Sequence, residues 1–371
     1  MGTKSDTQGT GAQASVAAAR PPSPSKGFPV RVFACPKCRA WVEFEDRVCL
    51  ACDTQIAFDP DFDELVRAEE HPLCRSRDDI GCSWVASPDP AAQGACDSCR
   101  LTTDGPPADD PTAHSQLVLA EYAKRRLIRQ LRHLALPVVP RQGDDGLAFR
   151  LLAPVEGQGV ITGHADGVIT IDLSESNDPH REALRIRLGE PYRTMLGHLR
   201  HEIGHYYWLM LVERGDGTID PFRELFGDER QDYGAALQAH YGDGPGEDWA
   251  DQHISHYATT HPWEDFAETF AHFLHIADVL ETTATVGVTV DGPHGVPEPL
   301  AGRILSTGAV ELTDLSITEV LGRWHGIAMA LNAMTRSMGR QDLYPFVITP
   351  GVARKLEHVH ELVRARTAAA A

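Results

Sequence analysis

The residues of this 371-residue chain with the clearest chemical potential are His201-Glu202-Ile203-Gly204-His205, which run into the apolar stretch Tyr206 to Val212. On a helix, residues four apart share a face, so His201 and His205 can aim both imidazoles at one metal ion. Glu202 sits one position round from that face, where a carboxylate can take a proton from water at the metal. The blander account is an amphipathic helix whose histidines are merely half-buried. The neighbouring residues decide between the two.

Arg193 to Val212 contains no proline, and Leu196, Leu199, Ile203, Tyr206 and Met210 recur at three- and four-residue spacing. That periodicity predicts a helix with a core-facing stripe. Gly204 costs such a helix about 1 kcal/mol against Ala. It fits either a close approach by another backbone or a substrate, or a loosely packed surface position. His198 precedes His201 by one turn but is not expected to be a third ligand, because these sites usually draw it from a distant segment. Tyr257 to Ile276 (YATTHPWEDFAETFAHFLHI) is such a segment. Pro262 suits a first helical turn, and Glu264 and Asp265 suit a helix N-terminus. Glu264, Glu268 and His272 then share a face, with His275 close to it. Asp265 is read as a dipole acid. Glu268 lies among Phe266, Ala267, Phe270 and Phe273, where a carboxylate suffers a desolvation penalty unless it meets a metal or a donor. One of Glu264 and Glu268 is therefore expected to ligate zinc and the other to orient a ligand imidazole. The residues leave open which.

HEIGHYYW, GHADGVITIDL, EPYRTMLGHLR, FGDERQDYGAAL, HPWEDFAETFAHFLHI and DLYPFV together resemble a bacterial family of zinc-binding metallopeptidases with an N-terminal zinc-ribbon-like region. The resemblance spans most of residues 28 to 365 and implies a peptidase without identifying its substrate. A narrower likeness concerns the zincin catalytic domain of anthrax lethal factor, which has Y-x6-E-F-F-A-E-A-F where this chain has Tyr257-x6-E-D-F-A-E-T-F. Carried over by position, it implies Glu264 as third ligand, Glu268 as the acid behind a ligand histidine and Tyr257 as donor to the oxyanion. Asp265 replaces an aromatic in that comparison, so the local packing need not match.

All eight cysteines lie between Cys35 and Cys99. Cys35-x2-Cys38 and Cys49-x2-Cys52 have the layout of two knuckles around one tetrahedral zinc. Cys74, Cys82, Cys96 and Cys99 form a looser second set, so one or two structural zinc ions are expected beside the catalytic one. The chain starts MGTKSDTQGTGAQ and has no run of about 18 apolar residues, so neither a signal peptide nor a membrane span is expected. A cytoplasmic location follows, where thiols bind metal rather than pair as disulfides. Between Phe28 and Asp104 there are 8 Lys and Arg against 15 Asp and Glu, and the whole chain carries −19. Phosphate binding needs clustered positive charge, so nucleic acid is not an expected partner. A protein partner for this module, or a purely structural role, fits better.

The organisation read from composition is a disordered tail over residues 1–27, a zinc-ribbon-like module over 28–104, a linker over 105–115 and a metallopeptidase domain over 116–371. Thr102 to Thr112 (TTDGPPADDPT) is the stretch whose composition marks the linker. Gln116 to Leu136 predicts a basic amphipathic helix that packs on the domain rather than docking a membrane or a calmodulin-like partner. Gly159 to Ile161 and Val168 to Leu173 predict a hairpin, with His164 and Asp166 as turn residues. Val168 to Ile171 could pair with an extended peptide substrate. The roughly 260 residues after the linker can bury one substantial core. The expected fold is α+β and zincin-like, a small sheet beside the active-site helix with a helical lower part. The expected function is a zinc metallopeptidase acting on peptides or proteins. A non-catalytic zinc-ribbon interaction protein and a zinc hydrolase of a non-peptide amide remain as alternatives.

Overall fold

A computed structural model describes residues 33–155, 159–177, 194–244, 246–291, 305–306 and 312–370. The tail expected over residues 1–27 lies outside the described residues. Short hairpins open the chain: β1 (Phe33–Ala34) with β2 (Trp41–Val42), and β3 (Ile56–Asp59) with β4 (Glu64–Arg67). Their small core is aromatic. Phe58 meets Phe33, Phe44 and Trp84 at ring-centroid distances of 5.7, 5.3 and 5.2 Å.

A four-stranded sheet follows, in the order β5 (Thr102–Asp104), β6 (Ala148–Leu152), β8 (Val168–Asp172), β7 (Gly163–Ala165). β5, β6 and β8 run parallel, and β7 folds back antiparallel on β8. The turn between β7 and β8 is Asp166-Gly167, both at positive φ, the backbone that a two-residue hairpin demands and that Asp-Gly supplies. The first strand of this hairpin therefore begins at Gly163, two residues past the Gly159–Ile161 run that the sequence suggested.

Thr102–Asp104 is a strand of this sheet rather than part of a linker, and α1 (Pro111–His133) begins five residues before the expected position. Asp110 caps α1 by accepting from the amides of Thr112 and Ala113 at 3.0 and 2.9 Å, with Pro111 in the first turn; these residues nucleate a helix. The basic face of α1 does pack on the protein. Arg126 pairs with Glu45 (2.5 Å), Arg129 binds Asp63 through two bonds of 2.8 and 2.7 Å, and Arg132 binds Asp61 and Asp97 at 2.7 and 2.9 Å. Every one of these acids belongs to the cysteine-rich region, so its excess negative charge is used in docking. The Arg129 guanidinium also lies over Phe33 and Phe44, 5.4 Å from each ring, a cation–π contact sheltered from water.

Apart from a short antiparallel pair, Thr289–Val290 with Leu305–Ser306, the described remainder is mainly helical: α2 (Met195–Trp208), whose end widens into a π-turn over Leu209–Glu213, then α3 (Ile219–Phe226), α4 (Tyr233–Asp243), α5 (Pro262–Val286), α6 (Ile317–Ser337) and α7 (Pro350–Ala370). Leu199, Ile203 and Tyr206 of the expected stripe are buried, while Leu196 and Met210 are partly so. α2 packs on α5, where Phe266 and Phe270 are fully buried; each contributes about 1.5–3 kcal/mol by leaving water. Gly204 is what permits the contact. A methyl group there would sit 2.9 Å from both the Cα and the carbonyl oxygen of Ala267. Of the two accounts of Gly204, close backbone approach is the one realised.

Candidate metal centre and active site

Two helix starts aim the functional side chains. Thr194 caps α2 by accepting from the amide of Gly197 at 2.9 Å, which fixes the phase of the helix that carries His198, His201, Glu202 and His205. His261 caps α5: its Nδ1 accepts from the amide of Trp263 at 3.2 Å, and its Nε2 donates to the carbonyl of Gln231. Pro262 then begins the helix, placing Glu264 in the first turn and Glu268 one turn later.

The Nε2 atoms of His201 and His205 are 3.2 Å apart, and Oε2 of Glu264 lies 3.0 and 3.3 Å from them. Tetrahedral zinc with N and O ligands at 2.0–2.1 Å has ligand–ligand edges of about 3.3–3.4 Å, so this triangle fits one face of such a site. His205 and Glu264 are almost fully buried, and a buried set of two imidazole nitrogens and a carboxylate oxygen so close together suits a shared cation. Two of the three are hydrogen-bonded from behind, whereas Nδ1 of His205 is buried with no hydrogen-bond partner among the described residues. His201 Nδ1 donates to Oε1 of Glu268 at 2.7 Å, and Ser255 donates to Oε2 of Glu268 at 2.5 Å. The Tyr233 hydroxyl donates to Oε1 of Glu264 at 2.8 Å. The indole of Trp263 covers His205 at a centroid distance of 3.8 Å. Glu264 is thus the carboxylate that converges on both Nε2 atoms, while Glu268 meets the far side of one ring.

The cysteines gather into two tetrads, Cys35, Cys38, Cys49, Cys52 and Cys74, Cys82, Cys96, Cys99, each with all four sulfurs within 4.8 Å of one another. Cys35 to Cys52 is 3.7 Å, and Cys38 to Cys49, Cys82 to Cys96 and Cys82 to Cys99 are each 3.6 Å. A disulfide needs about 2.05 Å, whereas four thiolates at about 2.3 Å from zinc stand about 3.8 Å apart. The spacing fits metal.

A model of a zinc-ribbon domain matches residues 32–110, and the family described as "Putative zinc-binding metallo-peptidase" matches residues 113–362. The chain belongs to this metallopeptidase family. It is 41% identical over 339 residues to uncharacterised proteins of Mycobacterium tuberculosis and Mycobacterium bovis, covering 90% of this chain and 95% of each relative. No solved structure matches it significantly. No helix among the described residues is long and apolar enough to cross a membrane.

Within the metallopeptidase region, several other residues fall differently from the sequence reading. Val168 to Ile171 is hydrogen-bonded to β6 on one side and β7 on the other, so it cannot receive an extended peptide. β7 is the end strand among the described residues. His164 is not a turn residue but lies on β7, its ring nearly parallel to His205 at 6.4 Å. Its Nε2 accepts from the amide of Gly167 at 3.0 Å, and burial with the neighbouring His205 lowers it to about 4, so it stays neutral. His272 donates or accepts at Tyr344 (2.8 Å) and packs on Phe346, both from the DLYPFV motif; His275 meets Arg200 at 2.7 Å. Neither joins the ligand triangle. Asp265 sits in the first turn of α5, where the dipole reading put it, and is also buried against Lys355 at 2.5 Å, with burial raising it to about 7 despite that partner. Tyr233, Ser255 and Trp263 had no marker in the sequence beyond the Asp232 cap preceding Tyr233, because nothing in their spacing relates them to His201.

Proposed function

We propose that this protein is a zinc-dependent metallopeptidase that hydrolyses peptide bonds in peptide or protein substrates, in a reducing, cytoplasmic setting. The observation that carries this reading is the convergence of His201, His205 and Glu264 beside a glutamate that is not itself a ligand. A zinc ion held there supplies Lewis-acid polarisation of the scissile carbonyl and acidifies water. Glu202 is the general base. It takes the proton of the attacking water and returns it to the leaving amine. Burial works against the charged form of Glu202, but His198 and the imidazoles around it hold its carboxyl below the usual range, so it is ionised and ready to accept. Tyr257, whose ring is 5.8 Å from that of His201, is the proposed donor to charge developing on the carbonyl oxygen. β7, rather than β8, is the strand on which an extended substrate would lie. The cysteine tetrads hold structural zinc, one each.

The test is a proteome-wide cleavage profile comparing zinc-loaded wild type with Glu202→Gln. New termini should appear with wild type and fall by at least ~100-fold in the variant, which keeps its metal because Glu202 is not a ligand. Equal cleavage by both proteins would refute the peptidase mechanism. An absence of cleavage alongside partner capture by residues 33–104 would favour an interaction protein.

A further inference from the structure

His198 takes no part in the ligand triangle, yet it is placed with care. On α2 it stands one turn before Glu202, and its Nε2 lies 3.2 Å from Oε1 of that residue. Its Nδ1 lies 2.9 Å from Oε2 of Glu175. Glu175 comes from a 3-10 turn, Leu173–Ser176, that directly follows β8. That turn is pinned at both levels: Leu173 is fully buried, and the Asp172 side chain accepts from the amide of Ser174 at 2.8 Å. Glu175 and Glu202 are each 5% exposed.

A neutral imidazole has one N–H and cannot donate to two carboxylates; the cation donates to both. Burial opposes the cation, but the hydrogen bonds to Glu175 and Glu202 outweigh it and raise His198 to about 9. The two oxygens of Glu202 are then unlike. Oε1 is 3.2 Å from His198 Nε2, within ion-pair reach, whereas Oε2 is buried with no hydrogen-bond partner among the described residues. A lone buried carboxylate oxygen is costly unless something is meant to meet it.

We propose that His198, clamped by Glu175, is the positioning residue of the general base: it fixes Oε1 of Glu202 and so presents Oε2 alone to the reacting water. This rests on the reading of Glu202 as base. It assigns a purpose to the 3-10 turn that follows β8, since that turn delivers the clamp. It also distinguishes His198 from a helix staple, because a staple needs neither the second hydrogen bond nor the charge.

The test uses full-length, zinc-loaded protein and acetohydroxamate, a bidentate zinc ligand that offers its hydroxyl hydrogen to a neighbouring base. His198→Phe keeps the ring volume without donors, and His198→Gln restores donors without charge. His198→Phe should weaken acetohydroxamate by about 10-fold, the worth of one charge-assisted hydrogen bond, and His198→Gln should recover most of that, with zinc content unchanged. Independently, histidine side-chain 15N spectra at neutral pH should show both nitrogens of His198 protonated in wild type and one proton lost in Glu175→Gln, which covers the case of a poorly folded His198→Phe. Unchanged hydroxamate affinity in His198→Phe, or a neutral His198 in wild type, overturns the proposal. If Glu202→Gln weakens the hydroxamate while His198→Phe does not, only the positioning role fails; if Glu202→Gln has no effect either, the reading of Glu202 as base fails with it.

Discussion

In the zinc-ribbon region the candidate metal ligands are eight thiols between Cys35 and Cys99, gathered into two tetrads that could each close a four-sulfur coordination sphere. The histidine–carboxylate set is assembled otherwise. Its three candidate ligands, His201, His205 and Glu264, come from two helices, α2 and α5, and in the proposed reading they would hold zinc from one side and leave a position for water. Closed four-thiolate sites contribute folding energy outright, whereas open three-ligand sites serve chemistry and depend on a fold already made. The contrast predicts that damage to the first region is lost as structure and damage to the second as metal or activity.

The largest effect should come from removing the first region altogether. Composition alone suggests that residues 106–371 would fold separately and bind a single zinc. The structure argues against it. β5 is the outer strand of the catalytic sheet. Lys124, fully buried on α1, bonds Glu121 at 2.8 Å, and both meet Thr102 of β5. Arg129 would lose Asp63 and its aromatic cage together. Lys124 keeps Glu121 and Arg129 keeps Glu281 at 3.7 Å, but taking Asp63 from a buried guanidinium costs up to about 3–5 kcal/mol, a large share of the stability of many domains. A 106–371 fragment should therefore fail to give a cooperative thermal transition by circular dichroism. A sharp melt with one bound zinc would show that the two regions are separable after all.

Next in size is Glu264→Ala. It should remove the catalytic-site zinc almost completely while the cysteine sites stay filled, so elemental analysis falls by one equivalent and the circular dichroism spectrum is kept. A variant that retains full metal would mean that Glu264 is not a ligand.

The parts of this comparison that sequence could disclose are the local ones. His201 and His205 are four positions apart, and the cysteines of each C-x2-C pair three, so helix and turn geometry alone bring those atoms together. Pro262 likewise marked the start of α5, and Glu264 and Glu268 could be placed on one face though not ranked without a likeness. What stayed hidden depends on contacts between distant segments. Glu268 reaches Nδ1 of His201 only because Gly204 lets the helices touch. Tyr233 finds Glu264 from another helix with no shared period. The Thr102–Asp104 strand was hidden because Thr-Thr-Asp beside Gly-Pro-Pro has turn-like composition, and only its pairing with β6 makes it a strand.

Gly204→Ala probes that helix contact with a smaller effect. Helix propensity favours Ala by about 1 kcal/mol, but the methyl group meets backbone atoms of Ala267 that no side-chain rotation can move. Overpacking of this kind costs about 1–3 kcal/mol, so the variant should melt lower and bind catalytic zinc more weakly as Glu264 is pushed from the imidazoles. The cysteine sites should be unaffected. A more stable variant with unchanged metal affinity would show that α2 and α5 separate without consequence.

The smallest effect expected is that of Glu268, and it separates a ligand from its support. Glu268 touches His201 through Nδ1 and is itself held by Ser255, so its loss frees the ring to rotate and makes it a poorer ligand but removes no bond to metal. Outer carboxylates of this kind are worth roughly 10- to 100-fold in metal affinity. Glu268→Ala should show a loss of that size in competition with a chromophoric chelator, and Glu268→Gln a smaller one, because its amide oxygen still accepts from Nδ1. Both should retain the catalytic zinc at saturating metal, where Glu264→Ala does not. If Glu268→Ala instead loses metal as completely as Glu264→Ala, Glu268 is bound to the ion, and the neat division between ligand and support on α5 is wrong.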